Sequence, residues 1–322
     1  MSNTLEGFST NASSFNEGMD TAFAIHFGLS TLLFLSVIVP MFYFAWKYRA
    51  DKVKNEDIGT MTHHTLLEVL WTAIPIAIMM VFFYYGNTTM EVFRTMPAEA
   101  QSKIIHVEGS KWKWKYEYAP NKNGYVHKIT SIFDQKTRSV KRALYVPKDT
   151  NIILKMTSPL NDVIHSYYIP AFRTKEDVVP GRTTKLWFNA GKVGKYDVEC
   201  AEYCGTAHSY MLSKIVVMEK DDYEAWFNSE KKTPFEEVGS GASKGQSLYE
   251  DNGCAACHSL DDTTIVGPGL KTIATKDDAY IKDAILNPDK DVPTGFVAGV
   301  MPPFALSEAD VAELVKYLKT GK

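Results

Sequence analysis

Apolar positions are spread unevenly along this chain. From Thr21 to Trp46 no Asp, Glu, Lys or Arg interrupts TAFAIHFGLSTLLFLSVIVPMFYFAW, and Val69–Gly86, VLWTAIPIAIMMVFFYYG, is a second uncharged run. A membrane span needs roughly 20 such residues, so the first run is long enough to cross with some tilt and the second sits at the short end of the range. Pro40 and Pro75 fall inside these runs, where neighbouring helices tolerate proline. The first run lacks the basic leader of a cleaved signal peptide, since no Lys or Arg precedes Lys47. The pattern predicts a two-helix membrane hairpin within residues 1–95. The connecting loop carries Lys47, Arg49, Lys52 and Lys54, which places it in the cytoplasm and both termini outside.

Beyond residue 95 the period changes. KIIHVEGSKWKWKYEYAP, RALYVPKDTNIILKMTS, TTKLWFNAGKVGKYDVEC and SKIVVMEK are rich in β-branched and aromatic residues, and Pro, Gly, Asn and Asp bound them. Short strands at this spacing predict an all-β sandwich over residues 96–220. Alternation puts Trp112, Trp114 and Tyr116 on one strand face and Lys111, Lys113 and Lys115 on the other. By residue type the rings read as core. Residues 221–242, polar and ending in Gly and Ser, read as a tether. In 243–322, SKGQSLYEDN, DDAYIKDAILN and SEADVAELVKYLKT predict a small all-α domain, the last helix opened by Ser307 and Asp310 as a capping box.

Net charge is −3, with no basic excess to suggest nucleic acid. The four cysteines form two tight pairs, each followed by a histidine, which suggests cofactor sites rather than a disulfide framework. CAACH, with Cys254, Cys257 and His258, carries the attachment signature of a c-type haem. Met301 is the only methionine after His258, and no further histidine follows it, so Met301 is the candidate sixth iron ligand. Pro268 is placed to orient the His258 ring through a backbone carbonyl. CAEYCGTAHSYM, residues 200–211, brings together Cys200, Glu202, Cys204, His208 and Met211. Upstream, His165 in NDVIHSYYIPAF is the candidate distant ligand. Zinc could take the two cysteines and two histidines. A thioether is instead a copper ligand, and two thiolates suggest more than one copper. His106 and His127 read as ordinary histidines, and Glu68 as a solvated carboxylate at the membrane boundary.

In this order the parts closely resemble subunit II of cytochrome c oxidase with a fused cytochrome c, the caa3-type arrangement of bacterial respiratory chains. The resemblance covers nearly the whole chain. It rests on Cys-x-Glu-x-Cys-Gly-x-x-His-x-x-Met, on LEVLWTAIP and EDVVPGRTT, and on the CAACH domain. It implies a cupredoxin fold holding the dinuclear copper centre CuA. Cys200 and Cys204 would bridge the coppers, with His165 and His208 binding one each. Met211 and the Glu202 carbonyl would be weak ligands, and the Glu202 side chain would reach a magnesium ion shared with subunit I. The resemblance also implies that electrons enter through Trp112 and that Glu68 lies near a proton path. Lys111 and Lys113 depart from it, because several members carry Gln and Tyr there and added lysines disfavour a soluble basic donor. The implied partners are membrane lipid, subunits I and III, and a quinol-oxidising complex or small cytochrome as donor. The implied place is a bacterial cytoplasmic membrane, with both cofactor domains on the periplasmic or outer face. The implied role is to pass electrons to oxygen reduction, coupled to proton translocation. A nitric oxide or nitrous oxide reductase component and a membrane-anchored copper chaperone are the alternatives.

Overall fold

The two uncharged runs are helices: α1 spans Asn16–Lys47 and α2 spans Thr65–Arg94. Their side chains face outward as an apolar surface, with Phe27, Val37, Met80 and Phe83 all largely exposed, as a lipid-facing helix requires. α2 runs eight residues past the predicted Gly86 end. The Thr88, Thr89 and Thr95 hydroxyls donate back to the carbonyls of Tyr84, Tyr85 and Glu91, so these polar residues continue the helix instead of ending it. The computed structural model describes residues 12–54, 59, 62–134, 138–231, 243–304 and 306–320. The hairpin, Phe15–Met96, is one compact unit and the remainder of the chain is the other.

The second unit contains the predicted sandwich. Its strands are β1 (Ser102–Ser110), β2 (Lys113–Tyr118), β3 (Lys128–Asp134), β4 (Ser139–Lys141), β5 (Leu144–Pro147), β6 (Asn151–Thr157), β7 (His165–Ile169), β8 (Thr174–Val178), β9 (Thr184–Asn189), β10 (Gly194–Cys200) and β11 (Leu212–Met218). One sheet has the order β4-β3-β2-β1-β6-β9 and the other β5-β11-β10-β7-β8. The β1–β6 and β5–β11 pairs are parallel and the rest antiparallel. Alternation sets the faces: Ile105 and Val107 are buried while His106 between them is exposed. Trp112, Trp114 and Tyr116 are buried together, as predicted. Lys113, expected on the opposite, solvent face, is only 7% exposed, because another part of the chain covers it.

The stretch read as the start of the tether is partly structured. α3 (Lys220–Phe227) packs Tyr223 and Trp226 into the sandwich. Its last carbonyl, on Phe227, accepts from the Asn121 amide at 2.7 Å and lies 2.9 Å from a His127 ring nitrogen. The sandwich unit therefore continues beyond residue 220, and residues 232–242 of the tether lie outside the described residues. The three C-terminal helices are α4 (Lys244–Asp251), α5 (Asp278–Leu286) and α6 (Glu308–Thr320). They meet in a small core of Tyr249, Ile281, Ile285, Val311, Leu314, Val315 and Tyr317. Ser307 receives the Asp310 N–H and donates its hydroxyl to the Asp310 carboxylate, so α6 opens on the predicted cap.

Candidate functional site

Sheet pairing builds the first site. His165 opens β7 and Cys200 closes the neighbouring β10, where Cys200 pairs with Tyr167. The chain then loops through Glu202 and Cys204 into a single 3-10 turn at His208–Tyr210, and Met211 follows immediately before β11. The donor atoms converge as a result. Cys200 Sγ lies 3.8 Å from Cys204 Sγ and 4.0 Å from His165 Nδ1. Cys204 Sγ lies 3.5 Å from His208 Nδ1 and 3.8 Å from Met211 Sδ. The Glu202 carbonyl points inward, 3.2 Å from Cys200 Sγ, while its side chain is exposed. His165 and Met211 have no exposed surface. All six residues singled out in the sequence are thus brought together.

The electrostatics make one thiolate in this cluster. The Cys204 side chain beside it, with help from His165, pulls the Cys200 thiol down to about 3, and the anion so formed pushes Cys204 up. Burial works against a charged His165, but Asp162 and Cys200 outweigh it and hold the ring above its ordinary value. Asp162, not singled out in the sequence, faces His165 Nε2 at 3.5 Å, a charge contact rather than a hydrogen bond. It also accepts the backbone N–H groups of Lys111 and Val163 at 3.1 and 2.7 Å. A carboxylate behind a ligating imidazole fixes the ring and raises its basicity. The signal for it was present in NDVIH, an acid three residues before the candidate ligand.

The second site is a cavity of about 330 Å³ in the C-terminal domain. Its mostly apolar wall includes Cys254, Cys257, His258 and Met301. The Pro268 carbonyl accepts from His258 Nδ1 at 2.9 Å, the predicted orientation, so Nε2 is the ring nitrogen that would bind a haem iron. Tyr249 donates its hydroxyl to the His258 carbonyl at 2.7 Å. A Cβ on Gly267 would come within 2.4 Å of the His258 ring, so only glycine lets the chain pass there. Burial lowers His258 and pushes Cys254 and Cys257 up to about 11 and about 12, so both thiols stay neutral.

Trp112 belongs to both sites. Its Nε1–H donates to the Cys204 carbonyl at 3.1 Å, and its ring forms part of the cavity wall. Gly205, at φ +114°, lies beneath that ring, where a Cβ would sit 3.2 Å away. Glu68 is in the hairpin unit, and its carboxylate accepts the His64 N–H at 3.0 Å. His64 Nδ1 in turn accepts from the Leu67 N–H at 3.3 Å. Glu68 therefore helps cap α2, a role residue type alone did not suggest.

Three family models match successive parts of the chain. They are the transmembrane domain of cytochrome c oxidase subunit II over residues 2–86, its periplasmic domain over 103–219, and cytochrome c over 242–322. The chain is 27% identical over 308 residues to cytochrome c oxidase subunit 2 of Alkalihalophilus pseudofirmus, covering 90% of this chain and 83% of that one. It is 26% identical over 223 residues to cytochrome c oxidase subunit 2 of Cereibacter sphaeroides, covering 62% and 72%. Among solved structures, the periplasmic domain of subunit II of a Bradyrhizobium japonicum cytochrome oxidase is similar, with 32% identity and a TM-score of 0.38 over 43% of this chain and 98% of that one. The two subunit II domains follow one another here in a single chain that continues into a cytochrome c domain, and the chain belongs to the cytochrome c oxidase subunit II family.

Proposed function

We propose that this chain is the electron-input subunit of a membrane-bound haem–copper oxidase, holding one covalent haem c and a dinuclear copper centre. The observation that carries it is the convergence of His165, Cys200, Cys204, His208 and Met211 behind Trp112, whose other side forms the wall of the CAACH cavity. When bound, the two groups supply one-electron redox chemistry that feeds oxygen reduction and proton translocation in subunit I.

The residues present fit both groups. Five soft or borderline donors in a dry pocket suit copper, and the buried Met211 thioether favours copper over zinc. Cys200, Cys204, His165 and His208 would hold the two coppers, with Met211 and the Glu202 carbonyl as weak donors. The mostly apolar cavity lined by Cys254, Cys257, His258 and Met301 fits a haem, which the two thiols, the imidazole and the thioether would hold. Burial of His165, Cys200, Cys204 and Met211 keeps water from these copper-site donors, and the β-sheet pairing that aligns β7 with β10 holds them in one arrangement. That rigidity is what an electron-transfer site needs. The exposed Glu202 carboxylate is available to magnesium at a subunit I interface, and Glu68 is assigned to the proton-path mouth. The basic residues Lys47, Arg49, Lys52 and Lys54 support a cytoplasmic loop, with both cofactor domains on the periplasmic or outer face of a bacterial membrane. Subunit III and a quinol-oxidising complex or small cytochrome complete the proposed assembly. A copper chaperone would have no use for the cavity beside Trp112.

Metal and haem analysis of the purified chain tests this reading. We expect two coppers and one covalent haem per chain; stoichiometric zinc, or a single labile copper, would overturn it.

A further inference from the structure

Helix α4 ends in a way that its own sequence disfavours. Glu250 and Asp251 lie in its last turn, and no basic residue of the helix offsets them, although the C-terminal end of a helix dipole is already negative. The missing cations come from the sandwich. Arg142 binds Glu250 Oε2 through Nη2 at 2.8 Å and Asp251 through Nη1, with its own side chain only 8% exposed. Lys113 donates its ammonium to the carbonyl of Asn252, the residue that caps α4. The same ammonium sits 5.3 Å over the Phe304 ring.

Arg142 is itself held rigidly. It adopts a left-handed backbone at φ 59°, and its carbonyl accepts the Ser131 hydroxyl at 2.8 Å. Ser131 in turn accepts from Ser213 and Ser213 from Tyr116, each at 2.7 Å, a buried chain anchored in the sandwich core. One residue beyond Asn252 come Gly253 and the haem-attachment cysteines. Whatever fixes the end of α4 therefore fixes the cavity against Trp112.

We propose that Arg142 and Lys113 are positioning residues: they plug the acidic end of α4 into the sandwich, so that the C-terminal domain works from one docked seat instead of swinging on its tether. Two charged groups converge from the sandwich on the one helix end that needs them, and both are nearly out of water. This also explains the lysine at position 113, which departs from the pattern of several relatives: it faces the chain's own haem domain and not a soluble donor. The electron-transfer meaning of the seat rests on the haem and copper reading above. The seat itself does not.

The test uses the full chain in the assembled oxidase and reads two signals. Hydrogen exchange, which needs no electron transfer, should quicken in peptides covering 111–116 and 248–257 when Arg142→Glu is introduced, while β10 and β11 stay protected. Electron transfer from a flash-reduced haem to copper should slow about tenfold or more, because the rate follows the docked fraction and a broken, nearly buried pair depopulates the docked state. Combining Arg142→Glu with Glu250→Arg and Asp251→Asn should restore both signals, which a generally damaged sandwich would not allow. Unchanged exchange at 248–257 in Arg142→Glu would overturn the seat, and faster exchange with an unchanged electron rate would overturn its positioning role. If Arg142→Glu also loosens β10 and β11, Glu250→Gln with Asp251→Asn reads the same contact from the helix side, and unchanged exchange there counts against the proposal. A purified chain lacking copper or haem would instead refute the cofactor reading and leave the exchange result standing.

Discussion

At the copper-binding end of the sandwich the donors already touch, with His165 and Met211 sealed from solvent. In the C-terminal domain the space beside His258 and Met301 is a cavity of about 330 Å³. The first site is made by strand pairing and a short loop, so the polypeptide alone can assemble it. The second is made around something that has to be supplied. Its helices bury a core of seven residues, small for an independent domain. The difference is one of stability as much as of chemistry: under the proposed function copper would enter a finished pocket, whereas the haem would complete a core.

The strongest way to break that comparison is to block haem attachment with Cys254→Ala and Cys257→Ala. The haem would supply the apolar contacts that the cavity wall lacks, and losing them weighs heavily on a small domain of marginal stability. We expect α4, α5 and α6 to lose exchange protection while β10 and β11 keep theirs. A C-terminal domain that stays protected without haem would show that its seven-residue core suffices.

The next effect concerns the contact between the two regions. Burial first, and then the Lys115 charge, push the Lys113 ammonium down to about 8. Glu108 on the sandwich and Cys254 and Cys257 on the cavity side act weakly the other way. The folded chain thus sheds this proton more readily than the unfolded one. Between pH 8 and the ordinary value of 10.5 the unfolded state binds more protons, so stability rises with pH through that window, by at most about 3 kcal/mol. Urea unfolding of the purified chain across this range should show the rise, and Lys113→Met should lose it. An equal rise in Lys113→Met would assign it to other groups.

The same division explains what was legible beforehand. The hairpin and the sandwich were visible because apolar runs and period-two alternation act locally. The candidate copper donors could be picked out because five of them fall within residues 200–211 and soft-ligand chemistry is a property of residue type. Asp162 escaped because its role depends on which way His165 faces, and that is set by sheet pairing. Lys113 escaped because alternation assigns a strand face and cannot say that α4 will cover it. The docking of α3 through Trp226 was likewise a tertiary outcome hidden in a polar stretch.

The smallest expected effect sharpens the claim that the copper pocket is finished by the protein alone. Asp162→Asn keeps an oxygen for the Val163 N–H but gives up the second one, which takes the Lys111 N–H, and it removes the charge that faces His165 Nε2. The strands should fold unchanged, since the pairing of β7 with β8 and β10 does not involve Asp162. Copper affinity should fall about 10–100-fold, the usual cost of losing such a partner behind a ligating histidine, when measured by competition with a chelator of known affinity. Unaltered affinity would mean that packing alone sets the ring, through the edge-on contact of Trp114 with His165 at 6.1 Å between centroids. Asp162 would then act only as the bracket joining the Trp112 loop to the His165 loop, and the comparison would tilt further toward a copper site fixed by the sandwich core.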